Sequence, residues 1–151
     1  IDKTGKFVIE PQFQDITGFG NGLFGFQKSY ADKAGFMDAA GKVVISGDYS
    51  RVYKFSEGLA AVRTGDLWGF INSKGEMIIK QQFTGAHNFS GGLACVKNEQ
   101  GLWGFINPKG ETVIPFKYIR HALFRDGYAF VETSSGYEYI NMQGETVLSL
   151  K

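Results

Sequence analysis

The chain has 151 residues, with 16 basic and 15 acidic side chains for a net charge of +1, and one cysteine. That length suffices for a single domain with an adequate core, and the balanced charge, with no basic stripe, excludes the electrostatic footprint of a nucleic-acid binder. A single cysteine excludes an internal disulfide framework, and no apolar stretch reaches membrane-spanning length.

In chain order, the dominant feature is a turn that recurs. Its glycines are Gly5, Gly41, Gly75, Gly110 and Gly144, at successive intervals of 36, 34, 35 and 34 residues. A period near 35 implies copies of one supersecondary unit, each too small to bury its own apolar face. Asp or Asn opens each turn (Asp2, Asp38, Asn72, Asn107, Asn141) and glycine closes it, the pattern of a type I turn ended by a left-handed glycine. An apolar residue follows four places on (Ile9, Ile45, Ile79, Ile114), then an aromatic (Phe13, Tyr49, Phe83, Tyr118), then a phenylalanine (Phe19, Phe55, Phe89, Phe124). A further glycine (Gly22, Gly58, Gly92, Gly127) opens a short apolar run such as Leu59-Ala60-Ala61-Val62.

These short segments are rich in β-branched and aromatic residues, and none holds a sustained helical period. Leu59 to Arg63, Leu67 to Asn72 and Glu76 to Ile79 therefore read as a three-stranded antiparallel meander with tight turns at Gly65-Asp66 and Lys74-Gly75. Equivalent meanders are expected over Leu23 to Ile45, Leu93 to Ile114 and Tyr128 to Leu148, joined by crossing segments such as 82–91. The phenylalanines in those segments are the expected pins of one sheet on the next. Repeats fall at about 1–33, 34–67, 68–102 and 103–135, with a partial unit over 136–151.

The string Trp-Gly-Phe-Ile-Asn-x-x-Gly-Glu, followed by Phe-Ser-x-Gly-Leu-Ala-x-Val, runs from Trp68 to Val96 and again in weaker form from Trp103 to Val131. It resembles the WG (KWG) repeat family, and the resemblance covers the whole chain. It implies a tandem β-repeat module, widespread in bacteria, often joined to other domains and serving in binding or scaffolding. Ala34 stands where the second copy would carry the tryptophan, and Tyr137-Glu138 replaces Trp-Gly in the fifth, so no role of that pair extends to every repeat. The chain starts at Ile1, inside a repeat whose Trp-Gly-Phe strand is missing, which is expected of a piece cut from a longer protein; compartment is not legible.

Candidate chemistry is sparse. The turn acids and amides suit a backbone-bonding Asx role better than a cation site, and no metal or cofactor is assigned. His87 and His121 fall at different repeat positions, aligned with Tyr53 and Val52, and neither has a second ligand at metal-binding spacing. Cys95 sits within a strand, in the place held by Gly25, Ala61 and Phe130, as a small core residue would. Residues that break the repeat, among them Arg51, Lys117 to Arg120 and Arg125-Asp126, form no recognisable constellation. Trp68, Trp103 and Tyr137 recur once per repeat. They are either stacking residues between sheets or an exposed ladder for sugars or extended peptides.

The expected fold is all-β, a tandem array of three-stranded meanders in an open superhelical stack, with a small closed propeller as the alternative. The expected function is a non-catalytic protein-interaction or scaffolding module with a protein or peptide partner. The alternatives are a carbohydrate or cell-wall binding module and an accessory domain of a larger enzyme.

Overall fold

The computed structural model describes residues 4, 13–28 and 33–150. Four antiparallel sheets follow one another along the chain, each a meander of consecutive strands. The first holds β1 (Asp15–Gly20), β2 (Leu23–Gln27), β3 (Ala34–Met37) and β4 (Val43–Tyr49). The second holds β5 (Arg51–Val52), β6 (Leu59–Thr64), β7 (Leu67–Asn72) and β8 (Met77–Phe83). In the third are β9 (Gly85–Ala86), β10 (Ala94–Lys97), β11 (Trp103–Ile106) and β12 (Thr112–Tyr118), and in the fourth β13 (Tyr128–Thr133), β14 (Gly136–Asn141) and β15 (Thr146–Leu150). The expected meanders are β2–β4, β6–β8, β10–β12 and β13–β15; three gain a leading strand from the crossing segment before them. Before the last sheet that segment still donates Ile119 N–H to Glu132 O at 2.8 Å without forming a strand.

The recurrent turn forms as its residues require. Asn72 Oδ1 accepts from the backbone N–H groups of Lys74 and Glu76, both at 3.0 Å, while Asn72 Nδ2 donates to Glu76 Oε2 at 2.6 Å. The same bonds recur at Asn107 and Asn141, and Asp38 repeats the two backbone contacts. These side-chain oxygens are thus engaged by the turn itself. Gly75 and Gly110 both have φ of 83°, the left-handed region that a side chain disfavours. Gly41 and Gly144 match them at 81° and 80°; Gly5 lies outside the described residues.

A second turn class was not legible as such. Asn21-Gly22, Glu57-Gly58, Gly91-Gly92 and Asp126-Gly127 all carry positive φ at both positions. Ser56 and Leu59 exchange backbone bonds of 2.9 and 3.1 Å across theirs, so the crossing segment folds back through a two-residue type I′ turn.

The Trp-Gly glycine has a separate cause. Pairing of β7 with β8 slips between Trp68 and Phe70, and a Cβ on Gly69 would lie 2.5 Å from Ile79 O. A side chain cannot fit in that bulge. In the last sheet Tyr137 pairs with Leu150, Glu138 with Ser149 and Tyr139 with Leu148, without a slip, and Glu138 is tolerated where glycine otherwise stands.

Each sheet is covered by its successor. Leu59, Ala61, Trp68, Phe70, Ile79 and Phe83 of the second pack against Ala86, Phe89, Ala94, Val96 and Ile106 of the third. Clusters of the same design join the first sheet to the second and the third to the fourth. Phe55 sits 4.6 Å from Phe36, Phe89 5.0 Å from Phe70 and Phe124 4.9 Å from Phe105 by ring centroid, each ring lying on the preceding sheet. Phe55 and Phe89 are 3% and 1% exposed, and Phe124 is half-buried. Phe19 departs from its equivalents: it is 55% exposed and leans on Phe24, a residue of its own sheet. The stack is open, and the outer face of the fourth sheet stays exposed instead of closing on the first.

Candidate functional site

The three aromatic positions expected to be equivalent are graded along the array. Trp68 on β7 is 6% exposed, stacked at 4.8 Å on Tyr53 and enclosed by the third sheet, so its ring is not offered to a ligand. Trp103 on β11 is half-buried. Tyr137 on β14 is 42% exposed and lies parallel to Phe130, with centroids 5.2 Å apart and 7° between planes.

Trp103 belongs to a cluster that sequence spacing obscured. His87 and His121 stack on each other at 4.4 Å, each 5.5 Å from Trp103, whose ring also has Lys97 Nζ at 5.8 Å. The 34 residues between the two histidines fall one short of the 35 from Gly75 to Gly110, so alignment sets them at different positions although their rings meet. His121 aligns with the buried Val52 and Ala86, yet it faces outward while Ala122 takes the interior place. Burial, with the charge of His121 adding to it, holds the His87 imidazole below its ordinary value. Burial pushes the Cys95 thiol up to about 12, leaving an unreactive core thiol at neutral pH.

Tyr137 leads to an exposed apolar and aromatic face. Strand alternation puts Tyr128 and Phe130 of β13, Tyr137 and Tyr139 of β14, and Leu148 and Leu150 of β15 on one face, and all six are exposed. Their counterparts in the second sheet, such as Leu59, Ala61, Trp68, Phe70 and Ile79, are the residues its successor buries. Phe130 was the readable sign, because Gly25, Ala61 and Cys95 hold its place where another sheet must fit. Beside this face a cavity of about 630 Å³ opens between Leu123, Arg125, Tyr128, Phe130 and Tyr139. Among the described residues no helix is long and apolar enough to cross a membrane.

Antiparallel units of three or four strands, the first three each covered by the next, define a β-repeat module. The family model for the WG containing repeat matches residues 1–30, 35–68, 68–101 and 103–137, and the chain belongs to this family. A search of curated proteins finds no match. Among solved structures the chain is similar to the computationally designed Ika4 protein, with 12% identity and a TM-score of 0.60 over 91% of this chain and 98% of that one. It is also similar to Hsv2 of Kluyveromyces lactis, with 14% identity and a TM-score of 0.68 over 93% of this chain. The designed Ika8 protein gives 14% and 0.60 over 95%. The chain spans about half of the Hsv2 and Ika8 chains, 51% in each case. Identities this low speak to the fold alone.

Proposed function

We propose that this chain is a non-catalytic interaction module whose contact surface is the outer face of the fourth sheet. The observation that carries this reading is the exposure of Tyr128, Phe130, Tyr137, Tyr139, Leu148 and Leu150 in the register that buries their counterparts in earlier sheets. A contiguous apolar and aromatic face of this kind marks an interaction site, and tyrosine and phenylalanine are favoured there. The expected partner is a protein surface of small and aliphatic side chains, the chemistry that Ala94, Val96 and Ile106 bring to the second sheet. A photo-crosslinker in place of Leu148 should give one saturable protein adduct, lost in Phe130→Lys. The pairing of Phe130 with Tyr137 favours a second reading, an aromatic platform for carbohydrate. Saturable tyrosine-fluorescence changes on titration with cell-wall oligosaccharides, without any protein adduct, would replace the first reading with the second.

A further inference from the structure

A polar cleft at the other end of the array stands apart from this face. It encloses about 470 Å³ between the first and second sheets and is lined by Gln14, Asp15, Gln27, Ser50, Arg51 and Arg63. Arg51 on β5 and Arg63 on β6 are register partners, so two guanidinium side chains stand directly opposite each other. Like charges in that arrangement destabilise a sheet. The other repeats avoid it. The same position holds Asp15 opposite Gln27, Gly85 opposite Lys97, and Arg120 against Glu132, where an ion pair of 2.9 Å forms between Nε and Oε2.

The pair is also incompletely satisfied. Arg63 Nη2 donates to Asp66 Oδ1 at 2.7 Å, but Arg63 Nε is buried without a hydrogen-bond partner among the described residues. A buried donor nitrogen left without an acceptor is costly. Arg51 lies over the Tyr53 ring, 6.0 Å from its centroid, and lines the cleft. An anion between the two arginines would relieve the repulsion and satisfy the donor together. Asp15 on the wall and Asp66 paired with Arg63 offset much of the arginine charge, which suits a singly charged carboxylate better than a phosphate dianion. Arginine forks match carboxylates in two-point contacts, and the Gln14 and Gln27 amides line the remaining wall.

We propose that the Arg51–Arg63 cleft binds a glutamate or aspartate carboxylate from an acidic segment of a protein partner. This rests on the reading of the chain as a protein-interaction module, although it uses a different surface. The test is titration of the full chain with a capped Gly-Glu-Glu-Gly peptide, followed by NMR of the arginine Nε–H groups. Saturable shifts of Arg51 and Arg63 that weaken with salt, and that the glutamine version of the peptide does not produce, are expected. Arg51→Glu builds the counterpart of the Arg120–Glu132 pair. It should therefore weaken peptide binding roughly tenfold or more while raising the urea midpoint, a combination that a purely structural role for Arg51 does not give. Equal binding by Arg51→Glu, or no shift in the wild-type chain, would overturn the proposal. Tighter binding of inorganic phosphate would overturn the choice of carboxylate, and tighter binding of oligogalacturonate the choice of a peptide. Crosslinking at Leu148 depends on neither arginine, so the two readings fail separately.

Discussion

Replacing Phe89 by alanine tests the stacking logic most directly. Its ring is almost inaccessible, meets Phe70 edge-on at 5.0 Å and sits among Leu59, Trp68 and Phe70 of the sheet before it. Truncating a buried phenylalanine removes its transfer free energy and leaves a cavity, together costing about 3–5 kcal/mol. With a urea dependence of roughly 2 kcal/mol per molar for a chain of this size, the midpoint should fall by roughly 2 M. Phe19→Ala is the internal control, because it makes the same change at the equivalent position, where the ring is 55% exposed. Its exposed ring should contribute about 0.5 kcal/mol or less. Urea titrations of both variants by far-UV circular dichroism supply the comparison. Equal midpoints would show that the phenylalanines do not pin one sheet to the next.

The turn glycines and the histidine pair give two further outcomes. Gly110→Ala should destabilise by about 1–2 kcal/mol through its left-handed φ, plus an added cost because a Cβ there would lie 3.2 Å from Ile79 Cγ2. Gly127→Ala, with the same φ of 83° and nothing within 4 Å of the added carbon, should show the conformational part alone, and equal losses in denaturant titrations would remove the contact from the account. For His87, the folded state favours the neutral ring, so an unfolded chain binds its proton first. Its contribution is intact above the ordinary histidine value of about 6.5 and declines as pH falls from there toward the lower folded value. His87→Tyr, which installs the residue found at the aligned Tyr53, should flatten the stability profile across that window, and an unchanged slope would assign the acid sensitivity elsewhere.

The period, the Asx turns and the pinning phenylalanines were legible because they depend on local chemistry repeated at fixed offsets. Properties set by neighbours were not. Trp68 and Tyr137 occupy one repeat position, yet a following sheet encloses the first and none encloses the second. The exchange of Trp-Gly for Tyr137-Glu138 was visible, but not that it accompanies loss of the bulge that demanded glycine. The type I′ turns went unread although Asn21-Gly22 and Asp126-Gly127 carry their usual residues, and Glu57-Gly58 carries no such signal. Glu57 holds its positive φ while its carboxylate accepts from Gly91 and Gly92 N–H at 2.7 and 2.9 Å, a contact across one full repeat. Arg51 was visible as a break in the repeat, but its meeting with Arg63 required the register of β5 on β6.

Because Phe55, Phe89 and Phe124 each lie on the sheet before them, the array has a direction. A chain leaving the ribosome presents each meander before the residues that cover it have been made: the faces of β6–β8 wait for Phe89, Ala94 and Val96. Every nascent length therefore ends in an uncovered aromatic face that moves one repeat at a time toward the C-terminus. Synthesis passes through a series of states, each ending in an apolar face that the next repeat covers.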